Sequence, residues 1–195
     1  MDDDDHTADQ FRCMELAAPL LPVLYDAWHT AFARYHSYDP AFTAEHDDTT
    51  TANCIRSHML TEIISRLDGQ DGCKVLRLNR LSLLNHRDEL VWRFKKVDGN
   101  GRHRNVQTTQ QQDFDDQLEI PGIPPAATRL TSGYQPDASG LHVERIVVSR
   151  PFGRSMIWAS QINIVDGAAS WADITPVRLP GTGRTDFRGR AGGRR

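Results

Sequence analysis

The chain has 195 residues, 38% hydrophobic and 25% charged, with a formal net charge of −3. That mixture excludes a wholly disordered chain, a collagen-like fibre and a coiled coil, and the length sets one domain as the expectation. No apolar run is long enough to span a bilayer. The acidic opening Met1-Asp2-Asp3-Asp4-Asp5 lacks the basic start and apolar stretch of a signal peptide, so a cytoplasmic protein with no membrane partner is expected.

The near-neutral total hides a division. Residues 1–51 carry eleven acidic and two basic side chains, whereas 52–195 carry fifteen acidic and twenty-one basic. Lys74 to Arg104 alone holds nine basic residues against Asp88, Glu89 and Asp98, and the tail from Arg178 to Arg195 holds six arginines against Asp186. Such asymmetry points to a polyanionic partner, to one half screening the other, or to a solvated basic face with a basic tail. Three widely spaced cysteines, Cys13, Cys54 and Cys73, with no Cys-x-x-Cys pair, read as free thiols rather than a disulfide frame or zinc finger.

Residues 1–8 are acidic and expected to be disordered. Phe11, Met14, Leu21, Leu24, Trp28 and Phe32 recur at helical spacing. Pro19 and Pro22 interrupt them, predicting two helices or one kinked helix, its better-formed part starting near Pro22. Ser37-Tyr38-Asp39-Pro40 is a break and 40–51 a loop. Thr49, Thr50 or Thr51 is placed to cap a helix over 51–67, where Ile55, Met59, Ile63 and Ile64 share a face, and Asp68-Gly69 ends it.

From Gly72 the period becomes two. Strands are predicted over 73–80 and 89–97, followed by the turn Asp98-Gly99-Asn100-Gly101 and a hairpin strand near 102–107. Thr108 or Thr109 caps a short helix that carries Phe114 and Leu118. After the Pro-rich loop 120–125, strands over 129–134, 141–148 and 156–164 follow through short turns, so they should be antiparallel neighbours, with Trp158 buried. Residues 179–195 read as a disordered Arg/Gly tail. The expectation is therefore an α+β domain over 9–178: N-terminal helices packed on a mostly antiparallel sheet of about five strands, with one inserted short helix.

Cys54, His58 and Glu62, four apart, project from one helix face, a pattern compatible with a nucleophile or with part of a metal site completed by His29, His36 or His46; a structural face is the simpler reading. Arg93 and Lys95 share one strand face, Trp92 and Phe94 the other, which predicts a half-buried sheet with a basic outer face. Trp92-Arg93-Phe94-Lys95-Lys96 is comparable to the strand of restriction-type nucleases, but Arg93 stands where those enzymes place a carboxylate, which removes a metal ligand. The polar run Asn105, Gln107, Thr108, Thr109, Gln110, Gln111 and Gln112 suits phosphate or base-edge contacts, or a loop entering a helix cap. The pairs Asp47-Asp48 and Asp115-Asp116 read as solvent-facing. No phosphate-loop, dinucleotide, zinc-protease or nucleophile-elbow motif occurs, so no cofactor and no metal is expected.

Phe94-Lys95-Lys96, Asn105, Thr108, Gln110, Phe114, Gln117, Pro121-Gly122-Ile123-Pro124, Gly133-Tyr134 and Trp158 together resemble a group of uncharacterised bacterial and prophage proteins. Members of that group are encoded beside helix-turn-helix regulators and ImmA/IrrE-type metallopeptidases. The resemblance implies a role in phage–host conflict or in a toxin–antitoxin-like module and transfers no catalytic residue. The resulting expectation is a non-enzymatic interaction module that binds a partner protein or nucleic acid through Arg80, Arg93, Lys95, Lys96, Arg102, Arg104, Asn105, Thr108 and Gln110. The alternative is a small enzyme-like toxin acting on nucleic acid with Cys54, His58, Glu62 and Lys95.

Overall fold

The computed structural model describes residues 3–78, 81–103, 108–153 and 155–176. Helices α1 (Asp3–Ala17), α2 (Leu21–His36), α3 (Pro40–Thr43) and α4 (Asp48–Leu67) precede strands β1 (Cys73–Leu78), β2 (Leu81–His86) and β3 (Leu90–Lys96). Helix α5 (Thr109–Asp115) then leads to β4 (Thr128–Pro136), β5 (Val143–Phe152), β6 (Ser155–Val165) and β7 (Ala168–Asp173). The seven strands form one sheet in chain order. Every neighbouring pair is antiparallel except β3 and β4, which run parallel because the segment carrying α5 returns the chain to the same end of the sheet. This is the α+β architecture expected, with seven strands where about five were expected. No helix among the described residues is long and apolar enough to cross a membrane.

The two prolines act as expected. A single 3-10 turn, Ala18–Leu20, separates α1 from α2, and Pro22 sits in the first turn of α2, where its missing amide costs nothing. The first helix, however, begins at Asp3, inside the stretch expected to be disordered. One face of α2 buries Leu21, Leu24, Trp28, Ala31, Phe32 and Tyr35. These pack on Trp92, Phe94, Leu130, Tyr134 and Trp158 from the sheet, with the Trp28 indole donating to Ser132 Oγ at 2.9 Å. Asp9 fastens α1 across β5 and β6, accepting from the Trp158 indole and from Arg150, each at 2.6 Å.

Helix α4 begins at Asp48 and not at residue 51. The cap is Asp47, which accepts from the Thr50 amide, so none of the three threonines caps it. The Asp98–Gly101 turn forms as expected: the Gly101 amide donates to Asp98 O, and Asp98 Oδ1 accepts from the Asn100 and Arg102 amides. The hairpin strand expected near 102–107 falls largely outside the described residues, and Arg102 and His103 are not strand. Thr108 caps α5 and Phe114 is buried beneath it, but the helix ends at Asp115, leaving Leu118 52% exposed. On this second face of the sheet Phe114, Ile120, Ile123 and Ala127 cover Leu81, Leu83 and Val91. Sequence periodicity missed β2 and β7: β2 follows β1 without a recognisable glycine turn, and β7 is a short edge strand whose one large apolar residue, half-buried Trp171, is set among small and polar ones.

Candidate functional site

The sheet is split where β2 leaves β3. Their ladder runs His86↔Leu90, Asn85↔Val91, Leu84↔Trp92 and stops there, while β1 and β2 stay paired to Leu78↔Leu81. Strand β3 stays paired to β4 through Lys96↔Tyr134. The start of β2 and the end of β3 therefore diverge, and a cleft of about 1150 Å³ opens there. Its wall from α4 is a stripe one step around the helix from the core residues Ile55 and Met59. Asp48, Thr49, Ala52, Asn53 and Arg56 line it at helical spacing. Ser82 from β2, Arg93, Lys95 and Lys96 from β3, Gln111 from α5 and Gln135 from β4 add polar groups, and Asp98 adds a second carboxylate beside that of Asp48.

The cleft is cationic. Burial lowers the pKa of Arg56, and no carboxylate among the described residues pairs with it. Burial, then the neighbouring Arg93 and Arg56 charges, bring the Lys95 amine from 10.5 down to about 8. Lys96 lies 3.8 Å from Asp48, whose side chain is nearly fully exposed, a screened contact of small worth.

Beneath this layer lies a neutralised one. Arg93, 2% exposed, donates to the wholly buried Asp115 and, through Nε, to Thr131 Oγ1 at 2.9 Å. His103 lies 3.1 Å from Arg93 Nη2 through Nδ1 and 3.4 Å from Asp115 Oδ2 through Nε2. His103 Nδ1 is placed to accept from the arginine, and Nε2 approaches the carboxylate without completing a hydrogen bond to Oδ2. The Arg93 guanidinium also lies 4.8 Å from the Phe114 ring centre. Burial opposes charge on Asp115, but the approach of His103 and the Arg93 charge outweigh it and hold its carboxyl below the ordinary value. Burial holds His103 below its ordinary value as well.

Arg93 Nη1, Asp115 Oδ2, Gln111 Oε1 and Gln135 Oε1 are buried in this region without a hydrogen-bond partner. The orientation of the Gln135 amide is set by its Nε2, which donates to Glu144 Oε2 at 2.6 Å. Buried donors and acceptors left unmade are costly, as is a desolvated cation with no anion beside it. The arrangement is equipped to receive an anionic group together with hydrogen-bond donors.

Of the residues expected to bind, Lys95 and Lys96 line the cleft and Arg93 forms its floor. Arg93 does not belong to an exposed basic face: Asp115, Thr131 and His103 enclose it, and Asp115, read from sequence as solvent-facing, is its counter-ion. Arg102 is exposed on the Asp98 turn, and Thr108 is engaged as the α5 cap. Gln110 lies in α5, its side chain outside the described residues together with Arg80, Arg104 and Asn105.

Cys54, His58 and Glu62 do not converge. His58 Nε2 is 2.6 Å from the Tyr38 hydroxyl, whereas Glu62 accepts from Arg66 and lies 3.7 Å from Arg34. Half-buried Cys54 borders a second hollow of about 290 Å³ with Tyr38, Thr50, Asn53, Ser57 and His58, whose lining does not include Lys95. Among the described residues no group of three or more His, Cys, Asp or Glu is placed to hold a metal. Gln111 belongs to the polar run read from sequence as suited to such contacts, whereas Arg56, His103, Asp115 and Gln135 were not anticipated as site residues. Of these last, only Arg56 left a sequence signal, a charge beside the apolar stripe of its helix. No family model, curated protein or solved structure matches the chain.

Proposed function

We propose that this chain is a non-enzymatic interaction module of a phage-conflict or toxin–antitoxin-like system, which holds an anionic segment of a partner macromolecule in the cleft between α4 and the split sheet. One observation carries the reading: Arg56 is withdrawn from water beside Lys95, with no carboxylate among the described residues to pair with it. Maintaining the Arg56 guanidinium in this state costs stability, and a bound anion recovers it. The enzyme-like alternative would need Lys95 and the Cys54 face to act on one substrate, and they border different hollows.

The experiment uses the full chain and its Arg56→Gln, Lys95→Met double variant as parallel baits in extract from the source cell. A partner retained by the native chain, released by salt and absent from the folded variant supports the reading. The same partners on both baits would remove the cleft from the function. With a purified partner, affinity should fall as salt rises, and the variant should show a shallower dependence.

A further inference from the structure

We infer that the occupant of the cleft is an acidic polypeptide segment in extended form, one carboxylate lying between Arg56 and Lys95 and main-chain N–H groups donating to Gln111 Oε1 and Gln135 Oε1. This rests on the cleft being the binding site. Three observations separate a peptide from the other anionic polymer, a nucleic acid strand.

The first is the sign of the unmet hydrogen bonds. Gln111 and Gln135 present buried acceptors, and Arg93 Nη1 presents a buried donor. A peptide backbone supplies an N–H and a C=O at every residue and satisfies both kinds, whereas a phosphodiester backbone only accepts and leaves donation to its bases. The second is the lining. Single-strand binders stack bases on exposed aromatic rings. The aromatic residue here, Phe94, is turned into the core and 0% exposed. The third is charge. Asp48 and Asp98 stand in the same lining as the four basic residues. Each of these carboxylates opposes a phosphate placed beside it, whereas a peptide places carboxylates only where arginine or lysine meets them. Arg56 also offers the planar donor fork that pairs carboxylates in two-point fashion. The cleft, about 1150 Å³, is of the scale of pockets that enclose a small ligand or a short segment.

The test is fluorescence anisotropy with the full chain and three probes: a labelled glutamate-rich peptide, the same peptide N-methylated at alternate backbone amides, and an oligothymidylate of equal net charge. The expected result is saturable binding of the first peptide, weakened about tenfold by Arg56→Gln and again by Gln111→Leu or Gln135→Leu, the weight of one lost hydrogen bond in each case. N-methylation should weaken it similarly, and the oligothymidylate should bind less well and be indifferent to the glutamine variants. Tighter binding of the oligothymidylate that depends on Arg56, with no effect of N-methylation, would overturn the peptide and leave the anionic cleft standing. Binding of every probe unchanged by Arg56→Gln, in a variant with the native melting profile, would overturn both.

Discussion

Replacing Lys95 with Met should make the protein more stable and worse at binding. Methionine keeps the stem of the side chain and removes the charge. Burial and the adjacent guanidinium groups of Arg93 and Arg56 bring the Lys95 amine from 10.5 to about 8. Each tenfold change in proton affinity is worth about 1.4 kcal/mol, so carrying this ammonium at neutral pH costs the folded state roughly 3 kcal/mol. Water at the cleft mouth screens part of that, leaving about 2 kcal/mol. The unfolded chain holds the proton up to about 10.5, whereas the folded one releases it near 8. The deficit is therefore fully present below the folded value and is recovered as pH rises toward the unfolded one. Urea unfolding of both chains should show a midpoint about 1 M higher for Lys95→Met at neutral pH. That advantage should shrink toward zero as pH approaches 10.5. Comparing the two chains at each pH cancels the opposite trend from Cys13, whose thiol burial raises to about 11. A variant less stable than the parent at neutral pH, or a difference that does not change with pH, would refute the electrostatic reasoning.

Asp115→Ala leaves Arg93 buried without its counter-ion and should cost about 3–5 kcal/mol, while the Arg93→Met, Asp115→Leu double variant should recover most of that loss in the same urea assay. Trp158→Ala removes a 1%-exposed indole and its hydrogen bond to Asp9, and calorimetry should report a loss of about 3–5 kcal/mol. Gly133→Ala sets a methyl against Val97 and the Lys95 carbonyl on the neighbouring strand, an overpacking that should cost about 1–3 kcal/mol in chemical denaturation. Burial lowers the pKa of His103, so the unfolded chain takes up a proton that the folded one refuses. Stability should then fall as pH drops below the ordinary histidine value, and His103→Gln should flatten part of that fall.

The helical half of the molecule was legible because its signals are local. The spacing from Phe11 to Phe32, the two prolines and the run from Ile55 to Ile64 report which face is apolar and where an amide is missing, and the helices follow them. The cap of α4 was misplaced because three threonines and an aspartate compete within one turn, and the backbone selects Asp47. Alternation likewise located β3 to β6 and placed Trp92 and Phe94 opposite Arg93 and Lys95. It missed β2, whose turn into β3 is made by Arg87 and Asp88 at positive φ without a glycine.

The cleft belongs to the other class of information. Lys95 and Lys96 were visible as basic residues next to aromatic ones, but whether each is exposed, shared or sealed depends on strand pairing across long separations. Local alternation cannot report that Arg93 meets Asp115 and His103, because α5 brings the carboxylate from twenty-two residues downstream. Nor can it report that β2 leaves β3 at Trp92, an event set by the competing pairings of β2 with β1 and β3 with β4. Residue type and period thus determined the long helices, most strands and the basic character of 74–104, but not the single turn of α3, which lies in the stretch 40–51 read as loop. Tertiary structure alone decided which of those charges are neutralised and which are held in the cleft, because burial and partner distance, not residue identity, set the energy of a charge.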